Sequence, residues 1–235
     1  MTEAPKCWAV IPAAGAGLRM GSAVPKQYLK LHGKCVLEHT LKVFCSHPEI
    51  TGVMVALADG DPYWHTLRIA THAKIRCTTG GAERCHSVYN ALRQLAETAA
   101  PWDWVLVHDA ARPCLRGADI SLLIASVKDH PVGGILALPV RDTMKRAGAG
   151  DEILETIERS GLWHALTPQM FRLGDLQIAL EQAMARGFTV TDEAQAMELA
   201  GQMPRLVRGQ PENIKITHNN DLPLAELYLL QQDRK

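Results

Sequence analysis

Long apolar runs are missing from this chain of 235 residues; none approaches the length a membrane span requires. The N-terminus has no basic region followed by an apolar stretch, so no secretory leader is expected. Net charge is missing too, because 25 lysines and arginines balance 25 aspartates and glutamates. Without a global positive field, neither nucleic acid nor a membrane is an expected partner. Any affinity for phosphate has to come from local clustering. The six cysteines, at positions 7, 35, 45, 77, 85 and 114, include no C-x-x-C pair and no metal-ligand spacing. Several lie in apolar runs, where a free thiol packs as a small hydrophobe. The ten histidines make no pair at zinc spacing, so a transition-metal site is not expected. These absences point to a reduced, cytoplasmic chain.

What is present is an ordinary globular balance, 47% apolar and 21% charged, on a length that buries a substantial core. The most informative stretch runs from Pro12 to Lys26, PAAGAGLRMGSAVPK, after a short apolar run that reads as a buried strand. From Ala13 to Gly17 there are almost no side chains, so a ligand can approach the backbone closely. Successive N–H groups in such a loop make a concave site for oxygen anions. Arg19 and Lys26 add two positive charges at its edge, an arrangement that suits a nucleotide triphosphate. Two phosphate motifs are excluded. No Gly-Lys is followed by Ser or Thr, as a P-loop needs, and Met20 stands where a dinucleotide fingerprint has its third glycine.

Strand and helix patterns then alternate along the chain. Helical spacing begins at Val36 and ends near His47-Pro48, and GVMVAL (52–57) reads as a second strand. Asp61-Pro62 reads as a helix start, and residues 74–78 as a third strand. The Gly80-Gly81 turn leads into a helix from Glu83 to about Glu97. WVLVH (104–108) is a fourth strand, followed by Asp109-Ala-Ala-Arg112-Pro113. A helix from about Asp119 to Lys128 and a strand over 133–138 complete another unit. Such alternation predicts a mostly parallel sheet with ligands beyond the carboxyl ends of its strands. Residues 141–160 break the rhythm and read as a projecting β-arm with a glycine-containing tip. WHALTPQ (163–169) and a helix over about 173–186 follow. Thr191 reads as the N-cap of a further helix. Residues 204–208 and 213–216 read as edge strands, and Asp221 starts a last helix. No linker or repeat divides the chain, so residues 1–235 form one domain plus the arm.

A strand, a Gly-rich loop with Arg, and Pro-Lys together resemble the signature loop of sugar-nucleotide type nucleotidyltransferases. Five separated segments narrow the resemblance: PAAGAGLRM with PKQYL, GGAERCHSV, VHDAARP, VRDTMKR, and WHALTPQ followed by TDEAQAME and NIKIT. Together they are similar to the 2-C-methyl-D-erythritol 4-phosphate cytidylyltransferase family. The resemblance implies an α/β fold with a mostly parallel, Rossmann-like nucleotidyltransferase sheet flanked by helices. It implies transfer of CMP from CTP to a polyol phosphate, 2-C-methylerythritol 4-phosphate, with release of pyrophosphate. The co-substrate is then CTP, with Mg²⁺ or another divalent cation. The catalytic cations are then Arg19, Lys26 and Lys215. Seen alone, Lys215 would read as a rim ion pair. The nucleotide is held by Pro12, Ala13, Ala14, Gly15, Gly17, Gly80, Gly81, Ser87 and Asp109. Asp109 suits a Mg²⁺ carried mainly by the CTP phosphates, a substrate hydroxyl, or an ordinary loop carboxylate. Arg112, Thr143, Arg159, Thr167 and Thr191 meet the second substrate. The 141–160 arm is expected to clasp a second subunit in a homodimer, so Arg159 can serve the neighbour's site. The chain departs from the family pattern at His86, where many members carry Asp, and at Ala82, where some do. Three other readings remain: a ribitol 5-phosphate cytidylyltransferase, a dinucleotide-binding oxidoreductase, and a non-catalytic nucleotide sensor.

Overall fold

Strands that are apolar on both faces need cover on both sides, and this requirement shapes the architecture. The computed structural model describes residues 4–15 and 24–233. Its strands are β1 (Cys7–Pro12), β2 (Lys30–Leu31), β3 (Lys34–Cys35), β4 (Ile50–Leu57), β5 (Ile75–Thr79), β6 (Trp104–Val107), β7 (Gly133–Pro139), β8 (Met144–Ala147), β9 (Ile153–Ile157), β10 (Trp163–Arg172) and β11 (Arg205–Arg208). Its α-helices are α1 (Val36–Ser46), α2 (Arg84–Leu95), α3 (Gly117–Val127), α4 (Leu173–Ala185), α5 (Glu193–Leu199) and α6 (Asp221–Gln232).

Seven strands form the central sheet in the order β11-β7-β10-β6-β1-β4-β5. β1 runs parallel to both β4 and β6, β5 parallel to β4, and β11 parallel to β7. Only the returning strand β10 breaks the sense, running antiparallel to β6 and β7. The sheet is therefore mostly parallel, as the alternating pattern predicts. Along each central strand, successive side chains enter different cores. Ala9, Ile11, Val53, Val55 and Leu106 face α1 and α3, where Leu37, Leu41, Phe44 and Leu123 are buried. Val10, Met54, Ala56, Val105 and Val107 face α2, α4 and α5, meeting Val88, Leu92, Leu176 and Met197. Burying each large side chain contributes about 1.5–3 kcal/mol. The carboxyl ends of β1, β4, β5 and β6 thus open toward one side of a rigid support. Among the described residues no helix is long and apolar enough to cross a membrane.

The stretch that breaks the sequence rhythm is a hairpin, β8 paired antiparallel with β9. Its neck is closed by Val140 N–H donating to Leu162 O at 2.9 Å, with Trp163 opposite Pro139. Nearly every residue of both strands is exposed, including Ile153 and Leu154.

Three local expectations are corrected. Asp61 starts no α-helix: its Oδ1 accepts from the N–H groups of Tyr63 and Trp64, and only two 3-10 turns follow. Residues 213–216 are not an edge strand, because Ile216 N–H bonds Ala111 O outside the sheet. Thr191 is not the cap of α5. Asp192 takes that place, its carboxylate accepting from Gln195 N–H, while the Thr191 backbone donates to the Gln195 side chain.

Candidate active site

A cleft of about 710 Å³ lies at the carboxyl ends of the parallel strands, bordered by residues 12–15, the start of α2, Asp109 and Lys215. Where β1 ends, Ala13 N–H still reaches Ala56 O at 2.8 Å, so the sheet holds the start of the loop in place. The Gln27 amide donates to Ala13 O at 2.7 Å and Gly15 O at 3.0 Å. Two carbonyls that would repel an anion are thereby occupied. Lys26 stands just before Gln27, its ammonium donating to Ile216 O at 3.2 Å. Across the cleft, Gly80 N–H donates to Leu57 O at 2.7 Å. A Cβ on Gly80 would lie 2.4 Å from Ala14 Cβ and 2.9 Å from Ser87 Oγ, so the two loops meet only because this residue is glycine. Ser87 is buried, and its hydroxyl accepts from Gly81 N–H at 3.0 Å and lies 3.2 Å from Glu83 O. It locks the turn that opens α2.

The electrostatic centre is Asp109, just beyond β6. Arg84 Nε donates to Oδ1 at 2.9 Å, Lys215 Nζ lies 2.8 Å from Oδ2, and Arg112 Nε is 3.6 Å from Oδ2. Burial alone would raise the Asp109 pKa, yet Arg84, Lys215 and Arg112 together hold the carboxyl far below the usual range. Arg84 also forks onto Glu193 at 2.6 and 3.1 Å. Burial works against the Arg84 charge, but Glu193 and Asp109 more than compensate and hold it protonated. Three cationic side chains thus face two carboxylates, leaving one positive charge at the cleft. Such a surplus attracts phosphate.

Behind this cluster a neutral relay fixes the backbone. Asp109 N–H donates to Thr167 Oγ1 at 3.2 Å, and that hydroxyl meets His108 Nδ1 at 2.9 Å. His108 Nε2 lies 3.1 Å from Arg112 O, an acceptor, so Nε2 carries the proton and Nδ1 accepts from the threonine. Burial lowers the His108 pKa to about 4, which keeps the ring neutral. Arg112 Nη1 donates to Asn213 O at 2.7 Å, and Asn213 Nδ2 to Thr167 O at 2.7 Å.

Of the residues expected from the sequence, the cleft gathers Pro12, Ala13, Ala14, Gly15, Lys26, Gly81, Ser87, Asp109 and Lys215. Gly80 packs at its wall, and Arg112 and Thr167 join through Asp109. Gly17 and Arg19 lie outside the described residues. Thr191 sits one residue before the α5 cap, whose Asp192 is tied to Gln169 at 2.9 Å. Thr143 and Arg159 stay at the base of the arm, where Arg159 donates to Arg141 O. Arg84, Glu193, Gln27 and His108 were not singled out from the sequence. All four lie inside the quoted motifs, which is the one signal the sequence carries for them. Among the described residues no three His, Cys, Asp or Glu side chains are grouped to hold a metal ion. Each Asp109 oxygen already meets a cationic side chain of the protein.

The comparisons with known proteins agree with one another. The family model described as 2-C-methyl-D-erythritol 4-phosphate cytidylyltransferase matches residues 7–231. A protein of that name from Vibrio vulnificus (strain CMCP6) is 54% identical over 228 residues, 97% of this chain and 96% of its own. Another from Pseudomonas putida (strain ATCC 47054 / KT2440) is 53% identical over 219 residues, 93% of each. Among solved structures, a 4-diphosphocytidyl-2C-methyl-D-erythritol synthase superposes with a TM-score of 0.84 at 39% identity, covering 97% of this chain and all of that one. The Francisella tularensis cytidylyltransferase gives a TM-score of 0.82 at 37% identity, covering 95% of this chain and 99% of its own.

Proposed function

The chain belongs to the 2-C-methyl-D-erythritol 4-phosphate cytidylyltransferase family and is a cytidylyltransferase. From this premise we propose that it transfers CMP from CTP to 2-C-methyl-D-erythritol 4-phosphate, giving 4-diphosphocytidyl-2-C-methyl-D-erythritol and pyrophosphate. One observation carries the reading: Lys26, Lys215, Arg84 and Asp109 meet around a side-chain-poor backbone loop in a cleft large enough for a nucleotide. The acceptor phosphate has a second pKa near 6 and is mostly a dianion at neutral pH. It needs no general base, which accords with a neutral, buried His108 whose ring nitrogens are both occupied. The obstacle is that one anion approaches another. Lys26 and Lys215, with Arg19, neutralise the triphosphate and the five-coordinate α-phosphorus, while the surrounding loops align attack opposite the leaving pyrophosphate. Residues 12–15, Gly80, Gly81 and Ser87 hold the nucleotide. Arg112 and Thr167 face the acceptor with Thr191, joined by Thr143 and Arg159 from an arm. A divalent cation supplies further charge neutralisation when it enters with the nucleotide. No step is assigned to a metal held by the protein, because Asp109 is already paired with cations.

A coupled pyrophosphate assay with CTP, UTP and ATP against methylerythritol phosphate and ribitol 5-phosphate tests the reading. Release is expected with CTP and methylerythritol phosphate. Equal or faster release with ribitol 5-phosphate would overturn the acceptor assignment.

The same reading makes the active form a homodimer whose arms reach across to the partner. Ile153 and Leu154 are about two-thirds exposed on the arm, apolar surface that a second chain would cover. Mixing inactive Lys26→Ala and Arg159→Ala chains under subunit exchange should then restore activity. Each mixed dimer has one site lacking both groups and one intact, so random mixing returns about a quarter of wild-type activity. Proven exchange without recovery would remove Arg159 from the partner's site.

A further inference from the structure

Glu193 is fully buried, yet its partner lies 109 positions earlier in the chain. Both its oxygens take the two terminal nitrogens of Arg84, at 2.6 and 3.1 Å. A guanidinium forked this way cannot turn, and its remaining Nε–H is aimed at Asp109 Oδ1. The other Asp109 oxygen is left to Lys215 at 2.8 Å, with Arg112 beyond hydrogen-bond range at 3.6 Å. The order of these contacts matters. Were Arg84 free to rotate, it would fork onto both Asp109 oxygens, the preferred geometry for an arginine and a carboxylate, and displace Lys215.

We propose that Glu193 and Arg84 are positioning residues: Glu193 orients Arg84, which confines Asp109 so that one carboxylate oxygen anchors Lys215 at the nucleotide phosphates. The proposal rests on the functional reading above, in which Lys215 meets the triphosphate. It gives the first turn of α5 a task beyond holding Thr191 near the acceptor. The pocket of the second substrate and the phosphate end of the nucleotide pocket share one line of charge-assisted bonds. Lys cannot replace Arg84 here. A single ammonium has no planar fork and cannot face Glu193 with two donors and Asp109 with a third in fixed geometry.

Glu193→Gln and Arg84→Lys, each checked for an unchanged circular dichroism spectrum, are titrated with CTP and separately with cytidine. The expected result is CTP bound roughly tenfold or more weakly, with cytidine affinity unchanged, because only the phosphates meet Lys215. Glu193→Asp, which keeps the charge on a shorter arm, should recover part of the CTP affinity. Unchanged CTP affinity in both variants would overturn the proposal. So would an equal loss for CTP and cytidine, which signals general disruption of the cleft. The binding readout separates this proposal from the functional one. If the wild-type protein binds CTP but releases no pyrophosphate with methylerythritol phosphate, the acceptor assignment fails while the titrations still decide the positioning role.

Discussion

Lys26→Ala is expected to lower kcat roughly a hundred- to thousandfold while changing KM for the polyol phosphate far less. The ammonium sits beside the loop that would surround the triphosphate, and its bond to Ile216 O places it next to Lys215. Both ammonium groups line the cleft that would take the triphosphate. Their attraction is greatest where charge concentrates, at the five-coordinate phosphorus, so the loss falls on the transition state and spares the ground state. Removing one such donor costs about 3–4 kcal/mol. Steady-state kinetics on a variant with wild-type melting behaviour checks this, and an unchanged kcat would end the role assigned to Lys26.

Asp109→Asn should be the most destabilising single polar substitution in the cleft. The carboxylate is buried among Arg84, Arg112 and Lys215, and without its charge Arg84 and Arg112 remain largely desolvated with less compensation. Breaking a buried pair of this kind costs about 3–5 kcal/mol. In a domain of this size that is a fall in melting temperature of about 10 °C. The pH dependence follows from the same group and its neighbour. The folded pKa of Asp109 is depressed, so its contribution is present above the unfolded value of about 3.9 and is lost only as pH falls toward the lower folded value. His108 acts earlier. Its folded pKa of about 4 lies below its unfolded 6.5, so the unfolded chain binds more protons between these values and stability falls as pH drops through that window. Asp109→Asn should therefore lower stability at pH 7 and leave most of the decline between pH 6.5 and 4 in place. Denaturant titrations across pH check both statements. A variant as stable as wild type at pH 7 would contradict the account of the cluster.

The doubly buried strands were legible because β1, β4 and β6 are apolar at consecutive positions, and nothing but a two-faced core asks for that. Lys26, Asp109 and Lys215 were legible as members of motifs, though Lys215 alone reads as a rim charge. Glu193 stands two residues after the expected cap Thr191, where an acidic side chain has an ordinary local explanation in complementing the start of a helix. Its true partner is Arg84, and a contact across 109 positions leaves no periodic trace. The cap of α5 was misplaced by one because Thr191 and Asp192 are both good caps. Backbone geometry chooses between them, with Asp192 at φ −151° and ψ 176°. The reversed direction of β10 was equally hidden, since a strand pattern carries no sign of its sense. Thr143 and Arg159 remain apart from the cluster within one chain, in keeping with a site that the dimer proposal completes from outside.

The closed neck of the arm has a consequence for how such a chain can vary. Val140 and Leu162 are bonded, and Pro139 stands opposite Trp163, so pairing of β7 with β10 is complete before the arm begins. The arm is an insertion beyond a finished hairpin. Changing its length shifts no register in the sheet, and doubling a loop adds only about 0.6 kcal/mol of closure entropy. Residues 144–157 can therefore drift, lengthen or shorten without passing through a misfolded intermediate in sequence space. Whatever surface the arm meets, its recognition can diversify at one tempo while the strands beneath keep another.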